Sequence, residues 1–219
     1  MSATRATVNT SRFESLSGRV DLDFPEYEAP PPEPMGLVLR WIDTAVERGA
    51  REPRSLALAT ADARGRASNR VITFSRASAD GLLFTTHAGS RKGREIDATG
   101  WGSALFYWRE LGRQVMLSGP VDRLDDSVAD ELWRARPTPL HAMSTASSQS
   151  DPLPDPGALR ADALRLGESG RPLPRPAGFA GYLLRPADVE FWNASSDRMH
   201  RRLSYVHGPD GWLTRRLQP

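Results

Sequence analysis

The sequence predicts a mainly β protein, folded as a closed antiparallel barrel with peripheral helices. Two observations favour this class: short apolar segments follow one another at close spacing, and few helical patterns lie between them. A doubly wound parallel sheet would need a helix after almost every strand, so the pattern disfavours it. The chain has 219 residues, of which 39% are hydrophobic and 26% charged, as expected for a globular protein with a sizeable core.

The first 34 residues are polar and then rich in proline, which predicts a flexible arm ending in an extended segment. A helix is predicted over residues 35–48, because apolar residues recur at helical spacing and Gly49 follows as a helix-ending glycine. Residues 35–219 are assigned to a single domain. The Pro-rich stretch at residues 171–176 is a connection within it, because the strands on either side are too few to stand alone.

The remaining elements follow from apolar segments bounded by turn residues. Asp-Ala-Arg-Gly at residues 62–65 and Gly-Pro-Asp-Gly at residues 208–211 have the composition of hairpin turns. Helical spacing predicts further helices at residues 91–99, 127–135 and 156–166. Strands are predicted at residues 55–61, 68–74, 82–86, 103–108, 113–124, 178–185, 189–193, 203–206 and 212–217.

The composition excludes several classes of protein and site. With no cysteine, the chain has no disulfide, thiol nucleophile or cysteine-bound zinc, which fits a cytoplasmic protein. No apolar run is long enough for a membrane span, and the N-terminus lacks the apolar stretch of a secretory signal. Cations and acids alternate along the chain and leave a net charge of only +2, so no nucleic-acid partner is expected. The histidines lack partners at ligand spacing, so no metal site is expected.

The segment Gly89-Ser90-Arg91-Lys92-Gly93-Arg94 carries the strongest functional signal. It follows a predicted strand and opens a predicted helix, so it places cationic side chains at a helix start. The first N–H groups of a helix lack internal partners and carry partial positive charge, which favours a bound phosphate. A solvated basic turn is the alternative interpretation of this segment alone.

Four other segments contain side chains suited to an aromatic, phosphorylated ligand. Asn69-Arg70-Val71 places a cation inside a strand, and Arg113-Gln114-Val115 places an amide in another. Gln149-Ser150 adds neutral donors after a Ser-rich loop. Near the C-terminus, Glu190-Phe191-Trp192 precedes the cationic cluster Arg198-Met199-His200-Arg201-Arg202.

In this order, the motifs resemble those of the pyridoxamine 5′-phosphate oxidase family of FMN-binding split barrels. The resemblance covers residues 35–219 and implies an antiparallel split β-barrel of Greek-key type, which forms a homodimer with FMN at the subunit interface. Carried over by position, the residues that would contact FMN from one subunit are Arg70, Val71, Ser75, Thr85, Thr86, Arg91, Lys92 and Gln114. The residues that would complete the site, some from the partner subunit, are Gln149, Ser150, Trp192 and Arg202.

The substrate positions depart from those of the vitamin B6 oxidases. That group grips the substrate phosphate with a Lys, a Tyr, an Arg and a Ser, whereas the aligned residues here are Ser75, Leu132, Arg136 and Leu140. Only the arginine remains, and a buried phosphate without its partners is costly, so pyridoxine phosphate is disfavoured as the substrate.

Arg198 and His200 match the substrate-facing pair of the family, and with the apolar Leu132 and Leu140 they suit a flat aromatic carboxylate. This pattern is similar to that of the phenazine-biosynthesis branch. The resemblance implies FMN-dependent oxidation of partly reduced phenazine carboxylic acids, with hydride passing to flavin and electrons to O2, which is released as H2O2. Two alternatives stay open: a pyridoxine/pyridoxamine 5′-phosphate oxidase, and a non-catalytic flavin- or tetrapyrrole-binding barrel.

Overall fold

The computed structural model describes residues 22–219, so residues 1–21 of the predicted arm lie outside the described residues. The helices are α1 (Met35–Glu47), α2 (Arg91–Thr99), α3 (Asp126–Ala135), α4 (His141–Ala146) and α5 (Pro156–Gly167). The strands are β1 (Ser55–Ala61), β2 (Ala67–Thr73), β3 (Arg76–Ser78), β4 (Gly81–His87), β5 (Trp101–Trp108), β6 (Arg113–Arg123), β7 (Phe179–Leu184), β8 (Asp188–Asn193), β9 (Arg201–Gly208) and β10 (Gly211–Leu217).

All strand pairs within the described residues are antiparallel, and the main path runs β10-β9-β8-β6-β5-β1-β2. Strand β6 is long enough to join two sheets. Its first part pairs with β8 from Arg113 to Ser118, and its last part pairs with β7 from Val121 to Arg123. Strand β7 continues through β4 to β3, and β2 does not pair with β3 to close the circle. The mainly β class and the split form of the barrel are confirmed, whereas full closure is not.

The core lies between the inner sheet face and α1. Strand β1 alternates strictly, so that Leu56 and Leu58 are buried while the intervening alanines face outward. From α1, Leu37, Val38 and Trp41 fill the same interior. Each such side chain contributes about 1.5–3 kcal/mol when it is fully removed from water, which holds the sheet in one register.

Residues 22–34, the part of the predicted arm that the structure describes, pack against the barrel. Phe24 is only 2% exposed, and its ring lies 5.0 Å from that of Trp41. The Tyr205 hydroxyl donates to the Pro31 carbonyl (3.1 Å), and Arg216 donates to the Tyr27 carbonyl (2.9 Å). A buried aromatic side chain and these hydrogen bonds offset the entropy lost on ordering the segment.

Two short elements were absent from the sequence-based assignment. Strand β3 has three residues, too few for an alternating pattern, and α4 lies in a Ser-rich stretch that resembles a loop. Helix α4 is anchored by the buried His141, whose ring stacks on Trp133 at 4.1 Å. The His141 Nδ1 accepts a hydrogen bond from the Leu173 amide (3.2 Å), so this histidine has a structural role.

We predict that Phe24→Ala lowers the free energy of unfolding by about 3 kcal/mol, because it removes a buried aromatic ring and leaves a cavity beside Trp41. Urea-induced unfolding at a fixed protein concentration measures the change. The control is Leu164→Ala, at a side chain 68% exposed on α5, which should change stability by less than about 0.5 kcal/mol. Equal stability of the Phe24 variant and the wild type would mean that the segment does not stabilise the barrel.

Candidate functional site

The candidate site begins at the turn that leads from β4 into α2. The Ser90 side chain caps α2 by accepting a hydrogen bond from the Gly93 amide at 3.2 Å. A Cβ atom at Gly93 would lie 2.2 Å from the Ala88 carbonyl oxygen, so only glycine allows this close approach. The helix start therefore lies tight against the end of β4, and Arg91 and Lys92 project from its first turn.

Lys92 is the single lysine of the chain and is buried, with 7% of its surface exposed. Its Nζ donates hydrogen bonds to Thr86 Oγ1 (3.0 Å) and to Gln149 Oε1 (2.8 Å). Burial lowers the pKa of Lys92 to about 8, and the positive charge of Arg70 acts in the same direction. At neutral pH, which is about one unit below this pKa, the Lys92 ammonium group is mostly charged.

Glu95, one turn after Arg91, is a buried carboxylate. Burial alone would raise the pKa of Glu95, but hydrogen bonds from Ser68 (2.5 Å), Thr60 (2.5 Å) and Arg91 (2.8 Å) outweigh it and bring the pKa to about 2. Glu95 is therefore ionised and connects β1, β2 and α2.

Arg70 lies in the middle of β2 and has the internal partners that a mid-strand arginine needs. Its guanidinium donates to the Leu58 carbonyl (3.0 Å), to Thr60 Oγ1 (2.6 Å) and to Ser68 Oγ. It also forms an ion pair with Glu95 (3.3 Å). Because β2 is the end of the sheet path, Arg70 also reaches a cavity beyond that edge.

This cavity, called the cationic cavity below, has a volume of about 430 Å³. Three cations line it: Arg70, Arg91 and Lys92. The Glu95 carboxylate pairs with the two arginines and offsets one charge, so two net positive charges remain. The Arg91 amide donates to Ser150 Oγ (3.1 Å), which joins the Ser-rich loop to the helix start. The residues that line it are Ser68, Asn69, Arg70, Val71, Ile72, Arg91, Lys92, Gln149 and Ser150.

A second cavity of about 470 Å³, called the sheet cavity, lies on the outer face of the main sheet. The strand register aligns its floor: Asn69 is opposite Ala59, Gln114 is opposite Trp192, and Trp192 is opposite Arg202. Small side chains on β1 leave room above them. The residues that line it are Ala57, Ala59, Asn69, Ser103, Leu105, Gln114, Met116, Glu190, Trp192, Arg202 and Pro219. Asn69 lines both cavities, so the two adjoin.

Arg202 is the cation of the sheet cavity. Its Nε donates to Glu190 Oε1 at 2.7 Å, and its Nη1 donates to the Gln218 carbonyl at 2.9 Å. The hydrogen bond to Glu190 raises the pKa of Arg202. The cavity therefore combines an aromatic side chain, an amide and an ion pair on one sheet face.

Nine of the twelve predicted cofactor residues line one of these two cavities, and the three exceptions are Ser75, Thr85 and Thr86. Ser75 is exposed and Thr85 lies half-buried on β4, and neither lines the cationic cavity or the sheet cavity. Thr86 adjoins the cationic cavity through its hydrogen bond from Lys92.

The predicted substrate residues fall into two separate groups. His200 lies in the loop between β8 and β9, with its ring 4.7 Å from that of Trp192, whereas Arg198 is exposed in left-handed backbone (φ 67°). Arg136 and Leu132 belong to the α3 region, and Leu140 is 48% exposed. Neither group lines the cationic cavity or the sheet cavity.

Arg136 has an unsatisfied donor. Its Nη2 donates to Ser144 Oγ (3.3 Å), but its buried Nε has no hydrogen-bond partner within residues 22–219. A buried guanidinium N–H without an acceptor is costly, so Arg136 is held here by the packing around it.

Sequence reasoning did not name three residues of the candidate site as site residues, although two of them, Asn69 and Glu190, lie in its motifs. The spacing of Glu95 from Arg91 indicates their ion pair, because residues four apart lie next to each other on a helix. Strand alternation indicates the other two. Asn69 faces the same side as Val71, and Glu190 faces the same side as Trp192, because residues two apart on a strand share a face.

Within the described part of the chain, no cluster of His, Cys, Asp or Glu has an arrangement that could hold a metal ion. Likewise, no helix over residues 22–219 is both long and apolar enough to cross a membrane.

Comparisons with known protein families agree with this architecture. The pyridoxamine 5′-phosphate oxidase family matches residues 42–193, and the pyridoxine 5′-phosphate oxidase C-terminal dimerisation region matches residues 179–219. The chain belongs to the pyridoxamine 5′-phosphate oxidase family. The resemblance predicted from the motifs is thereby confirmed, and the dimerisation region spans β7 to β10.

Individual relatives are similar over nearly the whole chain. Dihydrophenazinedicarboxylate synthase from Burkholderia lata is 55% identical over 212 residues, covering 97% of this chain and all of that protein. The protein of the same name from Pseudomonas chlororaphis is 48% identical, covering 94% of this chain and 93% of that one. A pyridoxine/pyridoxamine 5′-phosphate oxidase from Neisseria meningitidis is 37% identical, covering 82% of this chain and 86% of that one.

Solved structures show the same fold. PhzG from Burkholderia lata 383, in complex with tetrahydrophenazine-1-carboxylic acid, superimposes with a TM-score of 0.90 at 54% identity, covering 92% of this chain and all of that one. An FMN-binding protein from Nostoc punctiforme has a TM-score of 0.68 at 19% identity, over 84% of this chain and 96% of that one, and shares the fold alone.

We predict that Gly93→Ala destabilises the protein by about 1–3 kcal/mol, because the new methyl group would lie 2.2 Å from the Ala88 carbonyl oxygen. The thermal unfolding midpoint measures the effect. Gly89→Ala, four residues earlier in the same turn, is the matched control, since no atom lies within 4 Å of its added Cβ. Equal midpoints for the two variants would contradict the close packing of α2 on the end of β4.

Proposed function

We propose that the protein is an FMN-dependent oxidase of partly reduced phenazine carboxylic acids. The observation that carries the proposal is that the cationic cavity, with two net positive charges, adjoins the sheet cavity. The 55% identity to a dihydrophenazinedicarboxylate synthase, and the PhzG structure with tetrahydrophenazine-1-carboxylic acid, support the same substrate class.

The cationic cavity fits the phosphate of FMN. A phosphomonoester at neutral pH carries up to two negative charges, which match the two net positive charges of Arg70, Arg91, Lys92 and Glu95. Arg70 and Arg91 share the single carboxylate of Glu95, so the three cations are not fully neutralised without a bound anion. Gln149 and Ser150 would add neutral contacts at its rim.

The sheet cavity would hold the isoalloxazine ring beside Gln114, Trp192 and Arg202. The flavin supplies the two-electron chemistry: the substrate loses two electrons and two protons, and O2 becomes H2O2. Gln114 can both donate to and accept from the polar edge of a heterocycle, and Arg202 provides the positive charge that favours a reduced, anionic ring. Aromatisation of the substrate drives the step, so the chain's main task is to position the two rings.

The substrate site would be completed by a second copy of the chain. Arg136 with Leu132 and Leu140 is separate from Arg198 and His200 in one subunit, and the latter pair lies within the matched dimerisation region. Val71, Leu105 and Tyr107 are exposed on the sheet face that carries the sheet cavity, and a partner subunit would cover them. The positive charge of Arg136, the one retained residue of the family's phosphate grip, supports a carboxylate contact from the first subunit.

We propose a cytoplasmic location for this enzyme, with which the absence of cysteine is compatible.

A pyridoxine/pyridoxamine 5′-phosphate oxidase is the second candidate, favoured by the 37% identity to such enzymes and by the retained Arg136. The substrate that consumes oxygen decides between the two. The purified, FMN-loaded protein should consume O2 with tetrahydrophenazine-1-carboxylic acid far faster than with pyridoxine 5′-phosphate. Comparable turnover on both substrates would favour the second candidate, and no O2 consumption with either would contradict the proposed oxidase.

We predict that Lys92→Met weakens FMN binding by about 10- to 150-fold, the effect of removing one charge-assisted contact worth about 1.5–3 kcal/mol. Quenching of flavin fluorescence on titration of the apoprotein measures the affinity. Riboflavin, which lacks the phosphate, should bind the variant and the wild type equally. Arg94→Met is the control, because Arg94 lies on the same helix but does not line the cationic cavity. Unchanged FMN affinity in Lys92→Met would place the phosphate elsewhere.

The Lys92 pKa of about 8 predicts that the affinity of the ligand-free protein for FMN depends on pH. The ammonium form of Lys92 binds phosphate. The affinity for FMN is therefore highest below this pKa, and it falls by at most about tenfold per pH unit as the pH rises above it. Lys92→Arg should bind FMN without this decline, because a guanidinium stays charged over the same range. A wild-type affinity that is constant from pH 7 to pH 9.5 would show that Lys92 does not titrate in this range.

A further inference from the structure

Glu190 places a carboxylate inside the cavity that would hold the flavin ring. Glu190 and Arg202 lie on neighbouring strands, diagonal to each other on the outer sheet face, and their side chains are 22% and 31% exposed. The Arg202 Nε donates to Glu190 Oε1 at 2.7 Å. Both residues line the sheet cavity beside Trp192, so the carboxylate and the guanidinium would act on the same ligand.

A carboxylate here has a cost, because a cation beside a flavin favours the reduced anion and a nearby carboxylate opposes it. Arg202 has one other described acceptor, the Gln218 carbonyl, which contacts Nη1. Glu190 therefore fixes the guanidinium through its Nε while offsetting part of its charge.

The chemistry of an oxidase gives this arrangement a purpose. The flavin must take electrons from the substrate and then release them to O2, so a strongly stabilised reduced flavin would slow the second half of the cycle. A substrate that becomes aromatic is a strong reductant and can reduce a flavin of low potential.

We propose that Glu190 is a positioning residue that holds Arg202 in the sheet cavity and limits its positive charge there, and thereby lowers the reduction potential of the bound flavin. The inference rests on the proposed function, which places the flavin ring in this cavity. It assigns Glu190 a role in tuning electron transfer, separate from the cations that hold the phosphate.

Glu190→Gln tests the inference, because the amide oxygen still accepts from Arg202 Nε while the negative charge is lost. The FMN-loaded variant should bind sulfite about tenfold more tightly than the wild type, since sulfite adds to oxidised flavin with a gain of negative charge on the ring. The same tenfold change corresponds to a rise of about 30 mV in the two-electron reduction potential. Both are read from the flavin absorption spectrum, independently of turnover.

Two variants serve as controls. Glu190→Asp keeps the charge and should stay within about threefold of the wild-type sulfite affinity. Asp188→Asn removes a carboxylate from the same face of β8 but outside the cavity lining, and should also change it by less than about threefold. If Glu190→Gln does not fold, Glu190→Met makes the same charge change with a side chain of similar length.

The outcomes separate this inference from the proposed function. Tighter sulfite binding in a neutral variant, with both controls unchanged, supports it. Normal FMN uptake with unchanged or weaker sulfite binding in the neutral variants would overturn the role of Glu190 alone. Loss of flavin binding in both neutral variants would overturn it as well, because Glu190 would then be needed for the site to form. A wild-type protein that takes up no FMN would overturn both proposals.

Discussion

The buried carboxylate of Glu95 is the interaction on which the rest of the site depends. It accepts hydrogen bonds from β1, β2 and α2, and it pairs with both Arg70 and Arg91 at a position where its own side chain is only 6% exposed. Ionised groups without partners are costly in such surroundings, so one well-bound carboxylate lets several cations gather. The cationic cavity is therefore preformed, so the phosphate of the proposed FMN would not need to order its own ligands.

Strand register links this cation cluster to the sheet cavity. On β2, alternate residues point to opposite faces, so Arg70 joins the Glu95 cluster while Asn69 and Val71 face outward. The same alternation on β1, β6 and β8 brings small, polar and aromatic side chains to one outer surface. A slip of one residue in any of these pairings would move the lining side chains into the core, so core packing and the site are set by the same register.

Most of the fold was predictable from the sequence, because alternation in β1 and helical spacing in α1 and α2 are strong local signals. The helix-start motif and the family motifs also predicted six of the nine residues that line the cationic cavity, but not Ser68, Asn69 and Ile72. Contacts distant in sequence were not predictable: the pairing of β6 with both β7 and β8, the packing of Phe24 on Trp41, and the stacking of His141 on Trp133. The single chain also separates Arg136 from His200, and no local pattern says how two copies would meet.

The isolation of Lys92 has a practical consequence. Apart from any free α-amine, this chain offers one primary amino group, and it lies in the wall of the cationic cavity. Acylating reagents that spare guanidinium groups would therefore address a single side chain. Lys92 is only 7% exposed, so its acylation is slow even in the free protein, and a ligand that covers the wall would slow it further, with no need for a coloured ligand or a substrate.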